Sequence, residues 1–259
     1  MDQQVFSTRP GKVPVYRQIE QHIRDLINGP DYAPGDRVPS ERTLAETLGA
    51  NRMTVRKAID GLVAQGLLER HSTSGTRIRL PLVTRPTDAR TSLGITRLIQ
   101  SGGGTPGNKL LHFQEQRASG RIAERLHLQE GAPITVIRRL WTVDGTPFCI
   151  ETSHLPTERL PNLAAEDLTG GQSLHALLRN RYGITTVGAE RIISVATCTD
   201  MEVRLLDLPL NSPCLLLRLV VVDQDRQPIE YMTSVNHPQL VVFKTDDVGP
   251  SVQSDQAVR

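Results

Sequence analysis

Apolar residues recur along the first seventy positions at the spacing of helices. Val15, Ile19, Ile23 and Leu26 form one stripe, which predicts an amphipathic helix beginning at Pro14, a residue suited to a first turn. The segment "NGPDYAPGDRVP" ends it. Ser40 then has the chemistry of an N-cap, with Leu44, Ala45 and Leu48 facing inward before Gly49 breaks the helix. Asn51 caps the next helix, where Val55, Ile59, Leu62 and Val63 form a second inward stripe ending at Gly66. The period then changes: "LLERH" and "TRIRL", separated by "STSG", predict a hairpin. Helix, helix, turn, helix and hairpin in this order constitute a winged helix-turn-helix unit.

The pattern loosens afterwards. "PLVTRPTDARTS", residues 81–92, carries two prolines and small polar residues and is expected to be a linker. Beyond it "GITRLIQSGGG" predicts a helix stopped by glycines. "KLLHFQEQRA", "PITVIRRLWTVDG", "TPFCIETSHL", "TVGAERIISVA", "CLLLRLVVVDQD" and "QPIEYMTSVNH" are strand candidates, and "SLHALLRNRYG" and "DMEVRLLDL" are helical by spacing. Twice a strand meets a turn and returns, across Val143 to Thr146 and Asp223 to Gln227. The expected fold class is α+β, with a mainly antiparallel sheet and flanking helices in the second domain. The chain thus divides into a tail (1–11), a winged domain (12–80), the linker (81–92), a sheet domain (93–245) and a disordered tail (246–259).

Composition narrows the functions. In 259 residues, 30 Lys plus Arg against 28 Asp plus Glu leave only +2, so any nucleic-acid surface must be local. Cys149, Cys198 and Cys214 form no CxxC pair and no Cys/His ligand set, and read as reduced core thiols. The amino terminus has no signal-peptide core, and no run approaches the roughly 20 apolar residues that span a bilayer. A cytoplasmic protein without membrane, metal or cofactor is expected.

The local charge lies at the predicted turn. In a helix-turn-helix the second helix enters the major groove and its first turn faces base edges. Arg52 and Arg56, four apart on one helix face, suit guanine acceptors, and Thr54 offers a hydroxyl to phosphate or a methyl to thymine. Arg42 is placed for backbone or an outer base edge. Gly75 and Thr76 make a slim wing tip, flanked by Arg70, Arg77 and Arg79 as candidate phosphate partners.

"VPVYRQIEQHIRDLI", "APGDRVPSERTLAETLGANRMTVRKAIDGLVAQGLLER" and "SGTRI" resemble the DNA-binding domain of the GntR family of bacterial transcriptional regulators. The resemblance implies that Arg42, Arg52, Thr54, Arg56 and Gly75 contact DNA. It departs at the wing, where "STSGT" stands in place of a Gly-x-Gly-Thr. "RRLWTVDGTPFCIETSHLP", "SLHALLRNRYGI" and "LDLPLNSPCLLLRLVVVDQDRQPIEYMTS" resemble the second domain of the HutC subfamily. That domain, the UTRA domain, has a chorismate-lyase-like fold and binds small-molecule effectors.

Read directly, Arg139 and Glu151 fall on consecutive strands joined by the Asp144-Gly145 turn. They either project opposite charges into one cavity or form a plain cross-strand ion pair. Ser173 opens a helix, as an ordinary N-cap or as part of an anion cradle, with His175 an added donor. The HutC resemblance implies that Ser92, Arg139, Glu151, Ser173, His175 and Glu230 line the effector pocket. Trp141 and His175 stand where relatives that sense sugar phosphates often carry arginine and tyrosine, favouring a smaller or partly aromatic acid. The expected protein is a homodimeric regulator, a repressor by family default, binding palindromic double-stranded operator DNA under control of an anionic effector. An enzyme built on Arg139, Glu151 and His154 lacks a nucleophile with an adjacent base, metal-ligand spacing and a phosphate loop. A DNA-binding scaffold without a ligand is the other alternative.

Overall fold

The computed structural model describes residues 13–87 and 94–245, and the chain divides into two compact units, Met1–Pro81 and Leu82–Arg259. The expected tails, at 1–11 and 246–259, lie outside the described residues.

In the first unit, α1 (Val15–Ile27), α2 (Glu41–Leu48) and α3 (Arg52–Ala64) precede a hairpin of β1 (Leu68–His71) and β2 (Gly75–Ile78). The caps form as their chemistry requires: Ser40 Oγ accepts from the Thr43 N–H at 3.1 Å, and Asn51 Oδ1 from the Met53 N–H at 2.8 Å. Gly49 closes α2 in the left-handed conformation, φ 58°. Ile19, Ile23, Ile27, Leu44, Leu48, Val55, Ile59 and Leu62 share one core. Ile27 takes the buried place expected of Leu26: the buried side of α1 runs through Ile19, Glu20, Ile23 and Ile27 and leaves Leu26 half-buried at its margin. The α1–α3 contact also buries Glu20, paired with Arg17 at 2.7 Å; a methyl at Gly61 would overlap that carboxylate.

The second unit is built on a six-stranded antiparallel sheet. Its strands are β4 (Pro106–Arg117), β5 (Pro133–Val143), β6 (Thr146–Pro156), β7 (Thr186–Thr197), β8 (Pro213–Asp223) and β9 (Pro228–Asn236), in the order β4-β5-β6-β9-β8-β7. Helices α4 (Ile95–Ser101), α5 (Gly120–Leu126), α6 (Leu174–Tyr182) and α7 (Asp200–Leu205) flank it. Leu174 and Leu178 of α6 pack on Ile137, Leu155, Leu217, Leu219 and Val221.

Three elements depart from the pattern reading. Val83–Pro86, inside the segment expected to be linker, is a strand, β3, and runs parallel to a further strand, β10 (Val241–Lys244), in a separate two-stranded sheet. The short alternation of Val83 and Arg85 inward, Thr84 outward is hidden in sequence by the flanking prolines. Helix α5, Gly120–Leu126, is the third.

Candidate functional site

Two surfaces carry the chemistry, one in each unit. On the first, α3 presents Arg52 and Arg56 with exposed side chains, Thr54 half-buried and Met53 66% exposed. Several of these cations already hold carboxylates. Arg42 pairs with Glu46 at 2.9 Å, four residues on, and Arg52 with Glu41 at 3.5 Å. The Arg42–Glu46 pair is solvent-facing at both ends, of the kind worth about 0–1 kcal/mol, so a phosphate can replace it; Glu41 is largely buried, and Arg70 still holds it if Arg52 turns to DNA.

The wing is held more tightly. Gly75 lies at φ 84°, and a side chain there would meet the Arg37 guanidinium at 3.0 Å, so this position needs glycine for conformation and for room. Thr76 accepts at its carbonyl from the Val38 N–H at 3.0 Å. Arg70 bridges Glu41 at 2.9 Å and Asp60 at 2.7 Å, and Arg77 donates to the Gly35 carbonyl at 2.9 Å. Arg70 and Arg77, candidate phosphate partners by sequence, therefore brace the hairpin against the helices and loop.

The second surface is a pocket enclosing about 620 Å³, mouth included, above one face of the six-stranded sheet. The sheet face beneath it follows from register. Arg139 stands opposite Glu151, Glu151 opposite Ser234, and Ser234 opposite Leu217, one row across four strands. The next rows add Trp141, Cys149 and Asn236 on one side, and Ser153, Met232 and Leu219 on the other. Because side chains alternate faces, all of these project the same way. The starts of α4 and α6 and the end of β3 complete the walls, bringing in Thr96, Ser173, His175 and Arg85.

The charges do not pair as the register suggests. Glu151 binds Arg85, Nη2 to Oε1 at 2.9 Å, and the Arg139–Glu151 ion pair weighed from sequence does not form. Arg85 also donates through Nη1 to Ser234 Oγ and Asn236 Oδ1, each at 3.0 Å. Glu230 accepts from His175 Nε2 at 3.0 Å and from the Ser153 hydroxyl. Burial pushes the Glu230 pKa up, but the hydrogen bond and charge of His175, the Ser153 hydroxyl and Arg139 outweigh it and hold the carboxyl below its ordinary value.

Arg139 is left differently. Only 3% exposed, its guanidinium lies 4.6 Å over the Trp141 ring and donates through Nη1 to the Gln172 carbonyl at 3.1 Å. Among the described residues no carboxylate forms an ion pair with it. Burial lowers its pKa while Glu151 and Glu230 raise it, and a guanidinium keeps its proton throughout. Nearby, the buried Trp141 indole N–H and both amide atoms of Asn108, its register partner on β4, have no hydrogen-bond partner among the described residues. Buried polar groups are usually paired with protein or ordered water, and Trp141, which lines the pocket, is placed to donate to either water or a ligand there.

Of the residues singled out by sequence, the pocket gathers Arg139, Glu151, Ser173, His175 and Glu230. Ser173 acts as the α6 N-cap, its Oγ accepting from the Ala176 N–H at 3.2 Å. Ser92 lies outside the described residues. His154 points to the backbone carbonyl of Tyr231, and burial lowers its pKa. Arg85 was missed, since it sat in an expected linker and its partners lie 66 to 151 residues away in sequence. Among the described residues no cluster of three or more His, Cys, Asp or Glu side chains is arranged for a metal ion, and no helix is long and apolar enough to cross a membrane.

A winged helix-turn-helix unit joined to a pocketed antiparallel sheet defines a two-domain DNA-binding regulator. The comparisons with known proteins agree. Residues 15–78 match the model for bacterial regulatory proteins of the gntR family, and residues 101–239 match the UTRA domain. The chain is 32% identical over 212 residues to the HTH-type transcriptional repressor PhnF of Mycolicibacterium smegmatis, covering 81% of this chain and 83% of that protein. It is 30% identical over 241 residues to the probable transcriptional regulator PhnF of Escherichia coli, covering 92% and 98%. The crystal structure of PhnF from Mycobacterium smegmatis is similar at a TM-score of 0.62 and 28% identity, over 88% of this chain and 98% of that one. The chain belongs to the GntR family of bacterial transcriptional regulators, with a UTRA domain as its second domain.

Proposed function

We propose that the protein is a cytoplasmic homodimeric repressor whose hold on a palindromic operator is released by a small anionic effector bound in the UTRA pocket. Arg139 carries this reading: it is a buried cation facing a pocket whose two carboxylates already have partners in Arg85 and His175. An acid that offers one anionic group to Arg139 and an acceptor to the Trp141 N–H would satisfy both. Such a ligand is compact, since those two side chains are in contact. Relatives named as repressors, PhnF of M. smegmatis and NagR of Bacillus subtilis, support the direction of control.

Dimerisation is supported by β7. It is an outer strand of the sheet, twelve residues long, with Val187, Ile192, Ile193 and Val195 exposed. Long apolar edges invite pairing with another strand, and a second copy would also place two recognition helices on two half-sites.

The test is binding of the purified protein to its own upstream DNA, titrated with acidic metabolites, with fluorescence of the single tryptophan, Trp141, followed in parallel. A metabolite that weakens the sequence-specific complex and shifts the Trp141 signal is the expected result. Specific binding that no acid alters would overturn the effector part. Absence of specific binding at low salt would overturn the operator part.

A further inference from the structure

The strand β3 is the first element after Pro81, where the first unit ends. Its ladder with β10 spans only four residue pairs, too few to hold a segment firmly without side-chain anchorage. The anchorage is Arg85. Its guanidinium is buried, 7% exposed, and reaches Glu151 at 2.9 Å, Ser234 at 3.0 Å and Asn236 at 3.0 Å, with Cys149 Sγ at 4.0 Å. Those acceptors belong to β6 and β9, two central strands, and the register sets them on the pocket face.

Glu151 therefore stands between two guanidiniums with different duties. Across the β5–β6 pair is Arg139, the cation available to an anion; across the pocket is Arg85, on the strand that continues the chain from the winged unit. A ligand whose hydroxyl or amino group donates to Glu151 competes directly with Arg85. A charge pair in such a site does not weaken gradually: removing one partner leaves the other desolvated and alone.

We propose that Arg85 is the positioning residue through which pocket occupancy acts on β3: a ligand that engages Arg139 and Glu151 loosens the Arg85–Glu151 pair and with it the strand leading from the DNA-reading unit. The ligand class follows as an acid that also carries a hydrogen-bond donor, such as a hydroxy acid or amino acid. The inference rests on the effector-pocket reading and deepens it. A ligand that bound Glu151 equally well with and without Arg85 would shift nothing.

The experiment uses the full-length protein with no ligand added. Backbone hydrogen exchange is followed at residues 83–86 and 241–244, with residues 134–141 of β5 as internal reference, in wild type, Arg85→Met and Arg85→Lys. Arg85→Met is expected to speed exchange at 83–86 by about tenfold or more while β5 is unchanged, and to weaken binding to upstream DNA about fivefold or more, a change a merely local packing role would not produce. Arg85→Lys, which keeps the charge but cannot fork to three acceptors, is expected to fall between. Unchanged β3 exchange, or DNA binding within about twofold of wild type despite faster exchange, overturns the proposal. If Arg85→Met also loses β5 protection, Glu151→Gln is read in its place by the same two measurements and the same limits. Failure of the effector reading is seen separately in the wild-type protein, as sequence-specific DNA binding that no acidic metabolite alters.

Discussion

The arginines of the winged unit and those of the pocket are the same residue under opposite conditions. Arg42 is 80% exposed at its side chain and leans on Glu46 in water; Arg85 is buried and held by acceptors from two strands. In the first case the ion pair is an exchangeable placeholder, because solvent screens it and a phosphate can replace it at little cost. In the second the pair is part of the fold, and exchanging it moves a strand. On the proposed reading, a cation offered to a polyanion is kept loose, whereas the cation offered to one small ligand, Arg139, is buried and has no carboxylate ion pair among the described residues.

The largest expected effect breaks the first side of that comparison. Arg52→Ala or Arg56→Ala removes a candidate base contact worth about 1–3 kcal/mol in each half-site. A dimer then loses about 2–6 kcal/mol of specific binding. Fluorescence anisotropy with upstream and scrambled duplexes checks this, and melting temperature is expected to stay within about 2 °C of wild type because both side chains are exposed. Normal specific affinity in both variants would remove α3 as the reading helix.

The second side is broken by Arg139→Ala. Charge-assisted hydrogen bonds are worth about 1.5–3 kcal/mol, so the effector's dissociation constant is expected to rise about tenfold to a hundredfold while operator affinity without effector is retained. An unchanged dose curve would show that the anion is bound elsewhere.

These two sites differed in legibility for a physical reason. The winged unit was readable nearly residue by residue, since caps at Ser40 and Asn51, the stop at Gly49 and the apolar stripes are all local codes. From local pattern the pocket was readable only where adjacent strands are also adjacent in sequence, which is how Arg139 and Glu151 came to one wall; Ser173, His175 and Glu230 were placed there only through the family resemblance. Arg85 meets Ser234 and Asn236 across 149 and 151 residues of chain. No short-range pattern announces that contact. The choice of Arg85 over Arg139 by Glu151 depends on β3, a strand too short and too proline-flanked to be recognised.

A smaller effect sharpens what holds the reading helix in place. Gly61 sits inside α3, where Gly→Ala ordinarily gains about 1 kcal/mol. Here the added methyl would strike the buried Glu20 carboxylate, which is itself tied to Arg17. Gly61→Ala is expected to destabilise the winged unit by about 1–3 kcal/mol through overpacking, and Gly61→Ala with Glu20→Ala to recover most of it. Urea unfolding followed by circular dichroism decides the sign, and a stabilised single variant would mean that Glu20 swings aside freely.

The smallest effect is confined to acid. Glu230 has a folded pKa below the ordinary 4.5 because His175, Ser153 and Arg139 favour its charged form over the opposing cost of burial. Between the folded and unfolded values the unfolded chain binds more protons, so this contribution is complete above about pH 4.5 and disappears as pH falls through the folded value. The slope from one such group does not exceed about 1.4 kcal/mol per pH unit. Urea unfolding read by Trp141 fluorescence between pH 6 and pH 3.5 is expected to show this loss in wild type and a flatter acid limb in Glu230→Gln. Identical slopes would mean that the His175–Glu230 contact contributes no net stabilisation of the charged carboxylate.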